Sequence, residues 1–420
     1  MGTFQTVDVN ERARIYVGDV ADVLGNIDVC DAAFSDPPYG WSFMAKGWDH
    51  EVPGPDVWRL VRSSVRPGAS LKAFGGPRTY HHLATAIELG GWEIRDMELW
   101  LYIQGFPKSH DISKSIDREL GSEREIIRRV PGTGRAGGEG YQSGDYGGGW
   151  NGITETAPAT ELARAFDGYG SALKPAYEPI CTAMAPRDGS FAQNAIKHGV
   201  AGININAGRV ELGEVAAGGR WPSNITLDEG AARLLDEQTG ELSSGYMAAG
   251  THRANGMGYN GGQPAVVAHD TYADSGGASR CFYSPKASPA EREAGLDGFR
   301  KGHWNDGRST PKNTPHLRKD GARANVHPAV KPIDLCRYHA AMLLPPPRAD
   351  GKPRRLLVPF SGSGSEMIGG LLAGWDEVVG IEINPEYVEL AKARIAHWQE
   401  YGVAKSERAD VERAGQGTLF

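Results

Sequence analysis

Asp36-Pro37-Pro38-Tyr39, inside "SDPPYG" (35–40), sets a carboxylate, a rigid prolyl pair and a flat ring at the end of the apolar run "DVCDAAFS" (28–35). Consecutive prolines stop both a helix and a central strand. The segment is therefore either a plain turn or a stiff cradle that offers a carboxylate, a carbonyl without a ladder partner and an aromatic face to a planar substrate. A second stretch, "VPFSGSGS" (358–365), lies between an apolar run and a helical pattern. Gly362 and Gly364 there allow a sharp turn and close backbone approach to a ligand. Glu382 closes the next apolar run, "EVVGIEI", where an acid can accept both hydroxyl hydrogens of a ribose. The loop is not GxGxxG, and no Lys-Ser/Thr pair follows it as in a phosphate-binding loop. The ligand it suits is a nucleoside without a pyrophosphate.

The elements around these residues alternate. Strands are expected at 14–20, 28–36, 69–76, 93–103, 354–360 and 377–383, and helices at 56–65, 78–89, 366–373 and from Asn384-Pro385 onward. In the helix at 56–65, Val57, Leu60, Val61 and Val65 fall on one face. Pro385 takes the favoured first helical position after its Asn384 cap. The pattern predicts an α/β fold with a doubly wound, mostly parallel sheet. The stretch "AYEPICTAM" (176–184) is expected to complete that sheet at its edge.

Composition narrows the classes. The chain has 420 residues, 40% hydrophobic and 23% charged, as in an ordinary globular protein of about two or three domains. No apolar run has the ~20 residues of a membrane span, and "MGTFQTVDVNERARIYVGDV" lacks the blocks of a secretory signal. Four scattered cysteines (Cys30, Cys181, Cys281, Cys336) form no CxxC pair and no zinc spacing, so reduced thiols, a cytoplasmic protein and no metal site are expected. The net charge of −7 leaves room for a local basic face, and 300–323 holds seven Lys/Arg against two Asp. The stretch 131–149 holds nine glycines in nineteen residues. With 245–264 it reads as loop that orders on a partner.

Together these motifs resemble the amino-group DNA methyltransferases dependent on S-adenosylmethionine. "SDPPYG" resembles the family's catalytic motif, "PFSGSG" its cofactor loop, and "GIEINPEYVELAKARI" its ribose-binding strand and helix. "YVGDVADVL" (16–24) is similar to the element whose acid meets the cofactor adenine, and "NVHPAVKP" (325–332) to the HPTxKP segment near the methionine end. The resemblance covers 14–109, about 170–190 and 324–400. Val358 stands where the family usually has Asp, and Ala329 where it has Thr. The catalytic motif precedes the cofactor loop, the beta arrangement, so the two ends of the chain must meet in one circularly permuted, Rossmann-like methyltransferase sheet. This order also speaks against protein-glutamine methyltransferases, which share an NPPY signature.

The resemblance implies Asp36, Pro37, Pro38 and Tyr39 as catalytic residues. It implies Phe360, Gly362 and Gly364 around the cofactor, Glu382 on its ribose, Asp19 on its adenine and Lys331 near its methionine carboxylate. Asp19 also fits a cap on the turn after its strand, and Lys331 the start of a helix. The implied reaction is methylation of adenine N6 in double-stranded DNA by base flipping, in a bacterial or phage-infected host, with a cognate restriction endonuclease as a partner. Alternatives are cytosine N4 methylation, a DNA-binding homologue with weak catalysis, and an RNA methylase. The layout expected is a catalytic half over 1–106, a glycine-rich insertion over 107–169, the edge strand over 170–190, a target-recognition region over 191–323 and a cofactor half over 324–420.

Overall fold

The structure, a computed structural model, describes residues 4–41, 50–103, 109–130, 153–210, 219–251, 274–285, 289–303, 322–327 and 330–416. The glycine-rich 131–149, residues 252–264 of the second loose stretch, residues 304–321 of the basic stretch, and Ala329 lie outside the described residues.

Nine strands form one sheet, in the spatial order β1 (Gln5–Asn10), β2 (Ala13–Val17), β9 (Glu377–Glu382), β8 (Arg355–Pro359), β3 (Cys30–Ser35), β4 (Val65–Phe74), β6 (Tyr177–Met184), β5 (Glu93–Leu101) and β7 (Ile225–Leu227). The run β2-β9-β8-β3-β4 is parallel, as is β5 with β7. β1 is antiparallel to β2, and β6 to both its neighbours. The expected α/β, mostly parallel sheet is thus observed, and the two chain ends do meet in it.

Strand side chains alternate between two helical layers, as the two-residue pleat requires. Ala33 and Leu357 face one apolar cluster with α1 (Pro55–Ser63) and α2 (Tyr80–Leu89). Ala32, Phe34, Leu356 and Val358 face the other, with α3 (Ile333–Leu343), α4 (Ser365–Ala373) and the start of α5 (Pro385–Gln416). Local chemistry fixes the helix ends. α1 opens with Pro55 in its first turn beside Asp56 and closes on Arg62, so its charges oppose its dipole. Its Trp58 and Val61 are fully buried, one turn apart. Val65, expected on this helix, instead begins β4. Among the described residues no helix is long and apolar enough to cross a membrane.

One expectation needs correction. The strand expected at the edge, β6, is interior, between β4 and β5. Ile180 to Met184 are buried, and a strand buried on both faces needs neighbours on both sides. Pro179, which suggests an edge, is tolerated because it lies beyond the last paired residue of β4, where its carbonyl accepts the Gly75 N–H at 2.8 Å. The true edges are β7 and β1, a half-polar strand (QTVDVN) outside the expected pattern. Within 191–323, β7 belongs to the sheet, and Asn194, on a helix over Phe191–His198, donates to the Pro67 carbonyl at 2.8 Å.

The α3 face of the sheet also buries charge. Lys72 on β4 is fully enclosed, its ammonium 2.8 Å from Glu98 on β5, and Thr182 on β6 donates to the same carboxylate at 2.5 Å. His339 of α3 lies 3.2 Å from Lys72. Burial, with the Lys72 charge, pushes the imidazole down to about 3, so it is neutral. A buried pair contributes little against an apolar replacement, but removing one partner leaves an uncompensated charge. Glu98→Ala should therefore cost about 3–5 kcal/mol, while Lys72→Met with Glu98→Leu recovers most of it. Urea midpoints of the three proteins check this; equal loss in single and double variants would show that the pair itself stabilises.

Candidate active site

The sheet has a reversal point that decides where a ligand can sit. β8 leads through α4 to β9 on one side, and β3 leads through α1 to β4 on the other. The carboxyl ends of β8 and β3 therefore border the crevice that open α/β sheets use for ligands. Both sequence motifs emerge there. Ser35, the last residue of β3, donates its hydroxyl to the carbonyl of Pro359, the last residue of β8, at 3.2 Å. Asp36 and Phe360 follow these two residues directly.

On the β3 side, Pro37 is buried and Asp36, Pro38 and Tyr39 are half-buried. The Asp36 carboxylate accepts from Lys331 at 2.6 Å on one oxygen and from the Tyr39 hydroxyl at 2.9 Å on the other. Glu178, near the start of β6, lies 3.1 Å from the same hydroxyl and 3.3 Å from Lys331. Because β6 runs antiparallel, its first residues stand at the carboxyl ends of β4 and β5. Lys331 is 5% exposed and lies 4.8 Å from the centre of the Phe74 ring, within cation–π range. Burial opposes its charge, but Asp36 and then Glu178 outweigh that and raise its pKa. Burial and the same two carboxylates raise the Tyr39 pKa, so its hydroxyl keeps its proton.

On the β8 side, Phe360 has φ 62°, Gly362 50° and Gly364 83°. A left-handed conformation at a phenylalanine costs about 1–3 kcal/mol and persists where surrounding structure imposes it. A Cβ on Gly362 would stand 2.8 Å from His327 Nε2, and one on Gly364 3.2 Å from Ala391. The loop is held from two directions. Glu382 accepts the Gly362 N–H at 2.8 Å with one oxygen and the Asn384 N–H at 2.8 Å with the other. Burial nonetheless raises its pKa. From α5, fully buried Arg394 donates to the Ser363 carbonyl at 2.6 Å and to the Ser365 hydroxyl at 3.2 Å. The buried Ser361 hydroxyl has no hydrogen-bond partner among the described residues.

Asp19 is exposed at the end of β2, where it caps the short helix Val20–Val23 through the Ala21 N–H at 2.8 Å. It stands on the same rim, since the neighbouring Gly18 N–H meets the Glu382 carbonyl at 3.0 Å. Lys331, expected near a cofactor's methionine end, has its ammonium on Asp36, Tyr39 and Glu178. Val358 is fully buried among the α3–α5 layer. Sequence reasoning missed Glu178, Glu366, Arg394 and His327. Only His327 had a signal, its place in "NVHPAVKP"; the others become site residues through topology.

No protein-family model matches the chain, and no curated protein sequence matches it. Solved structures of similar shape include the M1.HpyAVI–SAM complex, at 12% identity over 91% of this chain and 98% of that one, with a TM-score of 0.38. Another is the PvuII DNA methyltransferase (cytosine-N4-specific), at 10% identity over 93% and 90% of the two chains, with a TM-score of 0.43.

Glu366, in the first turn of α4, is enclosed beside this cluster. Burial, then repulsion from Asp36, pushes its carboxyl up to about 7. The folded protein thus holds a proton that the unfolded chain has lost between about pH 4.5 and 7. Stability falls as pH rises through that window and stays lower above it. Glu366→Gln cannot lose that proton, so its advantage over the parent should be near zero at pH 4.5 and reach about 2–3 kcal/mol by pH 8. Melting curves at several pH values check this; a constant difference would show that Glu366 is ionised throughout.

Proposed function

We propose that the protein is a DNA methyltransferase that transfers a methyl group from S-adenosylmethionine to an exocyclic amino group of a base, adenine N6 in the first instance. The observation that carries the reading is the emergence of the DPPY cradle and the glycine loop from adjoining strand ends, joined through Ser35 and Pro359. The glycine loop fits a nucleoside-bearing cofactor. Gly362 and Gly364 take left-handed turns in which a Cβ would crowd His327 and Ala391, Phe360 is held in a costly conformation, and the buried Ser361 hydroxyl has no partner among the described residues. Glu382 and Asp19 stand at the next two strand ends, where they would meet the ribose and the adenine. A carboxylate oxygen accepts two hydrogen bonds, so Glu382 can hold the loop and a ribose hydroxyl together.

When bound, S-adenosylmethionine supplies a methyl group on a sulfonium. The chain has to make a poor nucleophile competent. The lone pair of an exocyclic amine is delocalised into the ring, and Asp36 with the Pro37 carbonyl would accept its two hydrogens and localise it. Tyr39 would stack on the base, which must leave the duplex to reach this pocket. Asp36 would also take the one proton that the methylated nitrogen must give up and pass it to solvent. Asp36, Glu178 and Lys331 together carry a net charge of −1, which suits a cationic donor. Residues of 191–323 would read the target.

Asp36→Ala should lower methyl transfer to duplex DNA by at least ~10²-fold with cofactor affinity little changed. Digestion of the product to nucleosides and mass spectrometry should show N6-methyladenine in the parent reaction. N4-methylcytosine would move the assignment to the other base, and full activity in Asp36→Ala would overturn the assignment of the site.

A further inference from the structure

The reading above gives Glu178 only a share in the charge of the site, yet its geometry fits it for more. The Tyr39 hydroxyl has one hydrogen and two carboxylates within reach, Asp36 at 2.9 Å and Glu178 at 3.1 Å. The Lys331 ammonium donates to Asp36 at 2.6 Å and to the Tyr39 oxygen at 3.1 Å, and it forms an ion pair with Glu178 at 3.3 Å. The lysine can therefore keep all three partners while the tyrosine hydrogen points to either acid. A carboxylate that already accepts from an ammonium and a hydroxyl polarises a further N–H less than one that accepts from the ammonium alone.

We propose that Glu178 is a positioning residue that takes the Tyr39 hydrogen bond when the target amino group arrives, and so returns Asp36 to full acceptor strength. The inference rests on the methyltransferase reading of the site. The exchange needs only rotation of one O–H, with no heavy atom displaced, because both acceptors already stand at hydrogen-bond distance. It loses no hydrogen bond, since the incoming N–H replaces the hydroxyl on Asp36. Glu178 is well placed for this. Its side chain is 20% exposed at the crevice, and its backbone is paired with Trp100 of β5. The chemical class it serves is that of a base presenting a two-hydrogen amino group. Such a group makes the acceptor strength of Asp36 the quantity that matters.

The test is a double-mutant cycle on single-turnover methyl transfer, with duplex DNA and cofactor binding measured in parallel. Glu178→Gln keeps the side-chain shape but is a weaker acceptor, so Tyr39 stays on Asp36. The rate should fall ~10-fold, about 1.4 kcal/mol of barrier, with both dissociation constants unchanged. In a Tyr39→Phe background no hydroxyl competes for Asp36. There, Glu178→Gln should change the rate less than ~2-fold. Glu178→Asp, which keeps the charge one methylene further back, supplies the same comparison should the glutamine variant fold poorly. Penalties that multiply in the double variant, or a loss of binding equal to the loss of rate, would overturn the proposal while leaving the methyltransferase reading intact. A parent protein that transfers no methyl to DNA would remove both.

Discussion

One buried ammonium makes the candidate site possible. Asp36 and Glu178 come from distant parts of the chain and converge on one tyrosine, in a place where two unpaired carboxylates would repel and one would be driven to take up a proton. Lys331 stands between them and meets both. Its own burial is tolerable only because those acids and the rings of Phe74 and Tyr39 surround it. Removing the lysine would leave a doubly negative pocket, and removing both acids would leave an enclosed cation. The cluster exists as a unit, and it locks the DPPY segment, the antiparallel strand β6 and the segment leading into α3 into one geometry.

The rest of the molecule delivers these groups to one rim. Asp19, Glu382, the glycine loop, Asp36 and Glu178 belong to the ends of β2, β9, β8, β3 and β6, all on one side of the sheet. Parallel pairing puts the carboxyl ends of four of these strands on that side. The fifth contributes its amino end because β6 runs the other way. An edge strand in the same direction as its neighbours would have carried Glu178 to the opposite pole. The inversion of β6 is thus a condition of the site, and so is the strain at Phe360, which turns the chain under the loop that Glu382 and Arg394 hold.

Much of this was legible in the sequence where chemistry is local. Prolines, glycines and strand-end acids carry their meaning in a few residues, so Asp36, Gly362, Gly364 and Glu382 could be named and are found together. The start of α5 followed from Asn384 and Pro385 for the same reason. What depended on pairing between distant segments was not legible. The interior place of β6 was hidden by Pro179, which reads as an edge signal until the shorter reach of β4 is known. The half-polar β1 carries too little apolar alternation to declare itself. Lys331 was identified as a site residue, yet its partner was not, because nothing in "KP" says which carboxylate lies across the crevice. Arg394 looked like any cation on a C-terminal helix, and only the fold turns it toward Ser363.

The central claim is that donor and acceptor meet in the crevice between β8 and β3, and a crystal structure with S-adenosylhomocysteine tests it most directly. The account predicts that the product fills the space over Gly362 and Gly364, with its ribose at Glu382 and its sulfur turned toward the Asp36 carboxylate. Density for the product on another face of the sheet, or a sulfur turned away from Asp36 with protein packed between them, would contradict it.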